Sequence, residues 1–314
     1  MPKFSIVIPL YNKENEIQHT LNSVLQQNFS DFEVLVINDG STDNSGQKVL
    51  AFSDKRIKYL KTENGGVSKA RNKGIALATS PLIAFLDADD IWLPGHLQDL
   101  NNLYENFPQA GLLIKNYTFV YADNHQISPV FNGINNENFR GIVQDFFYAS
   151  LNYRMAWTSA VAVQKDVFTK VGVFDEQITL GAGEDTDMWT RIALHYPVAF
   201  DSRVSALYKL DASNRISHSQ TLKRKFSKLD KFVKHEQNNP SLKKFIDRYR
   251  IEYALKHKLA GATETTEFYL KNVDKKNIQV KTKLLFAMPT SLLKFLYRLK
   301  KVLERKKVFI SVYN

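Results

Sequence analysis

The chain has 314 residues, 44% of them hydrophobic, enough to bury a large core in one catalytic domain with an extension. It has no cysteine, which excludes disulfides and thiolate metal sites and is compatible with a reducing cytosol. The formal net charge is +11, and no stretch reaches the run of about eighteen apolar residues expected of a membrane-spanning helix.

The opening segment, Met1–Leu10, passes directly into an apolar strand and lacks the pattern of a signal peptide. That strand, Phe4–Leu10, leads through Pro9 into Tyr11 and Asn12. Ile17, Leu21, Val24 and Leu25 follow at the spacing of one buried helical stripe. Glu33–Asn38 is a second apolar run and empties into Asp39-Gly40-Ser41-Thr42-Asp43. Gly40 permits a tight turn there, and the Ser/Thr/Asp cluster can cap a helix through Gln47, Val49 and Leu50. A third strand is predicted near 57–60. Next comes Asn64-Gly65-Gly66-Val67-Ser68, with Ser68 as the expected N-cap. Backbone N–H groups at such a helix start can receive a phosphate, with Arg71 one turn further in; a paired glycine also serves as a plain turn.

Leu82–Leu86 then runs straight into Asp87, Asp89 and Asp90. A continuous apolar run predicts a strand buried on both faces, as in a parallel sheet, and ligands bind beyond the carboxyl ends of such strands. Three carboxylates crowded at that point repel one another unless a cation compensates them, and Mg²⁺ or Mn²⁺ suits oxygen ligands shared with substrate phosphates. The plainer reading is an acidic turn capping a helix that begins near Trp92 or Pro94. The β-α-β-α-β-α-β alternation predicts an α/β fold with right-handed crossovers and a nucleotide in its crevice.

Taken together, Ser5–Asn12, Ile37–Asp43, Gly65–Gly74 and Asp87-Ala88-Asp89-Asp90 resemble, in order and spacing, the family-2 glycosyltransferases of the GT-A fold. The resemblance is strong over about residues 4–100, looser to about 215, and absent beyond. It implies a Rossmann-like, mostly parallel sheet flanked by helices, in a domain of residues 1–220. Residues 1–100 would form its nucleotide-binding half and 101–220 its acceptor half. By that resemblance Pro9, Tyr11 and Glu14 pack against the base and ribose of the donor. Asp39 accepts a hydrogen bond from the base, most often uracil, and Arg71 steadies Asp39 and the base or phosphates. Gly65 belongs to the same nucleotide site. Asp87 touches the ribose, while Asp89, with Asp87, holds the metal on the diphosphate.

Sugar transfer also needs a base to activate the acceptor hydroxyl. Gly181-Ala182-Gly183-Glu184-Asp185-Thr186-Asp187-Met188-Trp189 reads as a mobile loop followed by a helix through Met188, Trp189, Ile192 and Ala193. It resembles the family's Glu-Asp motif, which makes Asp185 the base and Glu184 the alternative. One base fits a single displacement with inversion. Asp187 has a simpler role as the i,i+4 partner of Arg191. Many relatives carry a histidine after a Tyr-Arg pair. Here the run is Tyr208-Lys209-Leu210-Asp211, so either Asp211 or, after a shifted loop, His218 is the further metal ligand. Trp157, which with Thr158 and Ser159 precedes the strand Ala160–Gln164, is placed on the acceptor side together with Trp189.

Charge is uneven. Residues 221–314 carry 24 Lys and Arg against 8 Asp and Glu, whereas the first 220 carry 19 against 24. Leu222, Phe226, Leu229, Phe232 and Val233 predict one amphipathic helix, and Leu242 to Tyr253 predict another after Asn239-Pro240. A third segment, Lys281–Lys307, is interrupted at Pro289. Basic faces beside Leu/Phe faces suit an anionic membrane surface, ahead of simple helical packing and well ahead of nucleic acid, for which no binding signature is present. The expectation is a cytoplasmic enzyme on the inner face of the cell membrane. It would use Mn²⁺ or Mg²⁺ and move a sugar from a nucleotide donor, UDP-sugar first, to a glycan or lipid-linked glycan in cell-surface polysaccharide synthesis. The alternatives are a nucleotidyltransferase that forms sugar nucleotides, or a non-catalytic sugar-nucleotide-binding or membrane scaffold protein.

Overall fold

The computed structural model describes residues 1–214 and 219–305. The chain forms two compact units, Met1–Ser219 and Gln220–Asn314. In the first, the elements are β1 (Phe4–Leu10), α1 (Ile17–Leu25), β2 (Phe32–Asp39), α2 (Ser45–Leu50), β3 (Ile57–Thr62), α3 (Val67–Leu77), β4 (Leu82–Phe85), β5 (Ile91–Trp92) and α4 (His96–Asn106). There follow β6 (Leu112–Val120), β7 (Gln126–Ile127), β8 (Arg140–Ile142), α5 (Phe146–Ala149), β9 (Val161–Gln164), α6 (Val167–Val171), α7 (Glu184–Ala193) and β10 (Val198–Lys209).

The strands make one sheet in the order β3-β2-β1-β4-β9-β6-β10-β5, with β7 on β6 and β8 on β10. β3, β2, β1 and β4 pair in parallel, as do β6 and β10. The short β9 runs antiparallel to both β4 and β6 and joins the two parallel sets. This is the mostly parallel α/β sheet flanked by helices that the resemblance implies.

The apolar runs explain the centre. Every residue of β2 and β4 is buried, and so is every residue of β1 except Pro9. Pro9 has no N–H to donate, and it lies beyond the last β1–β4 pair, Val7 with Phe85, where the strand has outrun that neighbour. Helix α3 packs close to the sheet through Gly74, where an added Cβ would meet Val7 Cγ1 at 2.3 Å. Its start differs from expectation. The N-cap is Gly66, with φ +91°, and Ser68 lies buried inside the first turn. The positive φ of Gly66 turns the chain into the helix two residues before Ser68, which leaves that hydroxyl inside the first turn. The helix expected near Trp92 or Pro94 begins at His96, because Trp92 is drawn into the short strand β5 against β10.

In the second unit the helices are α8 (Val233–Glu236), α9 (Pro240–Ala260), α10 (Thr263–Leu270), α11 (Val280–Ala287) and α12 (Thr290–Arg305). Asn239 caps α9 by accepting from Leu242 N at 2.9 Å, with Pro240 in the first turn. The single amphipathic helix expected from Leu222 to Val233 does not form; short 3₁₀ turns at Thr221–Lys223 and Leu229–Phe232 replace it. Tertiary partners claim this segment. Phe226 packs on Tyr253 and His257, the Ser227 carbonyl accepts from Tyr269, and the Leu229 carbonyl accepts from buried Arg250. Arg250 is neutralised by Glu236 at 2.7 Å and Asp247 at 3.0 Å. Helix α12 follows Pro289 as expected and exposes Leu292, Phe295 and Leu299 while burying Leu293. Among the described residues no helix is long and apolar enough to cross a membrane.

Candidate active site

The site is assembled where β1, β2 and β4 end. After β1, Asn12 turns the chain with φ +50°, and its side chain accepts from Thr42 N at 2.8 Å. Glu14 Oε2 accepts from Asn44 N at 3.0 Å and the Glu14 N–H donates to Asp43, so the loops after β1 and β2 are locked together. Tyr11 stands 42% exposed on this rim. Glu14 is thus placed as a loop brace within the predicted base-binding wall.

Asp39 ends β2 and is buried. Its two oxygens accept from Gly65 N at 2.7 Å and Gly66 N at 2.8 Å. The N–H groups of the glycine pair just before α3 are therefore held by a carboxylate of the protein itself. Gly40 makes this possible, since a Cβ there would meet Asn64 N at 2.8 Å. Arg71 is not directed at Asp39, as the resemblance implied. Its buried guanidinium reaches Asp87 Oδ1 at 2.7 Å and faces Glu184 at 3.6 Å. Burial alone would weaken this cation, but the Asp87 and Glu184 carboxylates hold its pKa above the ordinary value.

The three acids after β4 have three different fates. Asp87 pairs with Arg71, and its N–H donates to Ser159 Oγ at 3.1 Å. Asp89 lies 2.6 Å from the Lys13 ammonium. Asp90 points inward, where it accepts from Ser159 Oγ at 2.5 Å and from Trp157 Nε1 at 3.2 Å. Burial, reinforced by Asp89 and Asp87, pushes its carboxyl well above the usual range. Asp90 thereby orients Trp157, whose ring packs on Tyr208 at 4.0 Å between centroids and on Tyr117 at 5.7 Å.

Helix α7 brings the second pair of acids. Glu184 is buried, and burial with neighbouring Asp185 raises its pKa against the opposing pull of Arg71. Asp185 is more open. Its Oδ1 accepts from Thr186 N at 2.7 Å, and its Oδ2 faces Arg154 at 3.4 Å. Asp187 bonds Arg191 at 2.9 Å, as the i,i+4 spacing predicts. Trp189 is a correction: with 2% exposure it packs in the core against Phe85 and Phe174 and offers no acceptor surface. The amphipathic stripe of α7 draws it inward. Asp211 is exposed beside Lys209 at 3.8 Å. His218 lies outside the described residues.

Lys13 and Arg154 carry no motif of their own, and loop cations of this kind read as solvated charge in a sequence. Only the spacing to Asp89 and Asp185 in three dimensions reveals them. Oxygen donors at Asp87 and Asp89 fit a hard divalent ion shared with substrate phosphates rather than one caged by protein. Among the described residues no group of three or more acidic or histidine side chains is placed to hold a metal.

The fold is that of TarS residues 1–349 from S. aureus, solved with UDP-GlcNAc, at a TM-score of 0.65 and 17% identity over 98% of this chain and 93% of that one. The glycosyl transferase family 2 profile matches residues 5–170, so the chain belongs to that family. Validoxylamine A glucosyltransferase of Streptomyces hygroscopicus subsp. limoneus is 29% identical over 77% of this chain. The Escherichia coli UDP-Glc:alpha-D-GlcNAc-diphosphoundecaprenol beta-1,3-glucosyltransferase WfgD is 40% identical over 38% of it. The matched regions span 59% and 44% of those relatives' own lengths.

Proposed function

We propose that the protein is an inverting transferase that moves one sugar from a nucleotide diphosphate donor, UDP-sugar first, to a hydroxyl of a glycan or lipid-linked glycan. Cell-surface polysaccharide synthesis is the setting that fits such an acceptor. The observation that carries this reading is Arg71, which ties Asp87 at the end of β4 to Glu184 at the head of α7. One buried cation thus links the acids expected at the donor diphosphate to those expected at the acceptor. The donor named for the E. coli relative and the UDP-GlcNAc in the TarS crystal support a uridine nucleotide.

Asp89, with Asp87, would hold Mn²⁺ or Mg²⁺, which when bound neutralises charge on the departing diphosphate. The other tasks fall to the chain itself. The loop Pro9–Glu14 and Asp39 wall the base. Arg71 fixes Asp87 in place and brings positive charge toward the phosphates. Asp185 takes the acceptor proton through Oδ2, the oxygen that its own helix does not use. Glu184, buried under Arg71, is the second choice for that role. Residues 1–220 form the catalytic domain, and the basic residues 221–314 hold it on the anionic inner face of the cell membrane. The exposed Leu292, Phe295 and Leu299 of α12 support that contact.

Calorimetric titration of UDP, GDP and dTDP into the full chain, with and without Mn²⁺, tests the reading. UDP binding that strengthens with Mn²⁺ is the expected result. Failure of all three nucleotides to bind would overturn it.

A further inference from the structure

Lys13 follows β1 by three residues, yet only 9% of its surface is exposed. Its backbone N–H donates to Ser45 Oγ at 2.8 Å, which fixes it against the start of α2. Its ammonium lies 2.6 Å from Asp89 Oδ2 and also donates to the Ser213 carbonyl. Residue 213 is held a second time by Glu16, whose oxygens accept from Ser213 N at 2.8 Å and Ser213 Oγ at 3.0 Å. A lysine in a loop ordinarily keeps its charge in water. Here the stem delivers the charge to Asp89, a carboxylate expected to face a metal ion.

We infer that Lys13 is the resident counter-ion of Asp89: it competes with the divalent cation for that carboxylate and ties it to residue 213 until the cation arrives. The inference rests on the proposed role of Asp89. An ammonium on one oxygen of a partly buried carboxylate and a dication on either oxygen would lie within a few ångströms and repel strongly, so metal binding disfavours the lysine contact. Two effects follow. The nucleotide-free protein binds metal weakly, and metal entry frees the Ser213 carbonyl. Donor phosphates give the displaced ammonium a new anionic partner, which makes nucleotide and metal favour one another's binding.

The test is Mn²⁺ binding to the nucleotide-free full chain, read by electron paramagnetic resonance, in wild type, Lys13→Met, Lys13→Arg and Asp89→Asn. Lys13→Met should bind Mn²⁺ about tenfold more tightly or better, because a nearby positive charge has been removed. Lys13→Arg, which keeps the charge, should resemble wild type, and Asp89→Asn should bind more weakly. Unchanged or weaker binding by Lys13→Met overturns the inference, as does a gain of equal size in Lys13→Arg. Asp89→Asn binding as well as wild type would instead remove Asp89 as the metal-holding residue.

Discussion

Glu184 and Asp185 are neighbours in sequence with opposite surroundings. Glu184 is sealed beneath Arg71, whereas Asp185 keeps 15% of its side chain exposed and spends one oxygen on its own helix. A base must reach the acceptor proton before its pKa matters, and that favours Asp185. Asp185→Asn should lower turnover by roughly 10²–10⁴-fold, the span associated with loss of a general base, while leaving UDP affinity unchanged. Steady-state kinetics beside calorimetry would check both halves. Glu33 illustrates a carboxylate with a structural duty. Burial would push it up, but hydrogen bonds from Lys58, Ser5 and Thr79 outweigh burial and hold its pKa at about 2, against an ordinary 4.5. A depressed folded-state pKa contributes stability that is complete above the unfolded value and lost as pH falls through the folded one. Glu33→Gln should therefore cost about 2 kcal/mol at neutral pH. Its deficit relative to wild type should shrink between pH 4.5 and 2, as followed by chemical denaturation.

Among the elements, the pairing of α3 with β1 sets the position of Arg71. Gly74 lies one turn beyond Arg71, and a Cβ at that place would meet Val7 Cγ1 at 2.3 Å and Cγ2 at 2.9 Å. Overpacking of this kind costs about 1–3 kcal/mol. Gly74→Ala should lower the melting temperature and also weaken nucleotide binding, since lifting the helix carries Arg71 away from Asp87. Calorimetry on the folded variant separates the two effects. The parallel strands were legible in the sequence because Phe4–Leu10, Glu33–Asn38 and Leu82–Leu86 are unbroken apolar runs ending in polar turns. The antiparallel course of β9 was not, because four residues bear no mark of direction and their pairing with β4 and β6 is set by distant chain. Ser68 looked like a cap because the commitment of Gly65 and Gly66 to Asp39 is a contact across 26 and 27 residues. Residues 222–233 carry a helical stripe, yet α9 and α10 bind the segment in another shape; tertiary contact overrode local preference. Of the candidate site, the acids and Arg71 stood in recognisable motifs. Lys13 and Arg154 did not, because their significance lies in charges placed next to them only by folding.

At the scale of the whole molecule, sequence charge separates the two parts of the chain: 24 Lys and Arg against 8 Asp and Glu after residue 220, and 19 against 24 before it. If the basic part binds membrane, the full chain should co-sediment with vesicles containing phosphatidylglycerol and not with neutral ones. That retention should weaken as salt screens the attraction. Equal sedimentation with both vesicle types would count against an anionic surface as its partner. The same separation of charge bears on how copies of the protein meet in solution. A uniform +11 would keep copies apart. With the charge divided, the acidic part of one copy attracts the basic part of the next wherever screening is weak. Solubility should then rise as salt approaches about 0.15 M, where the Debye length is roughly 8 Å. Light scattering would show a second virial coefficient that is negative in dilute buffer and climbs with added salt; a positive value throughout would mean that net charge dominates. An oligomer seen only at low ionic strength would accordingly be a salt-sensitive cluster rather than a defined assembly.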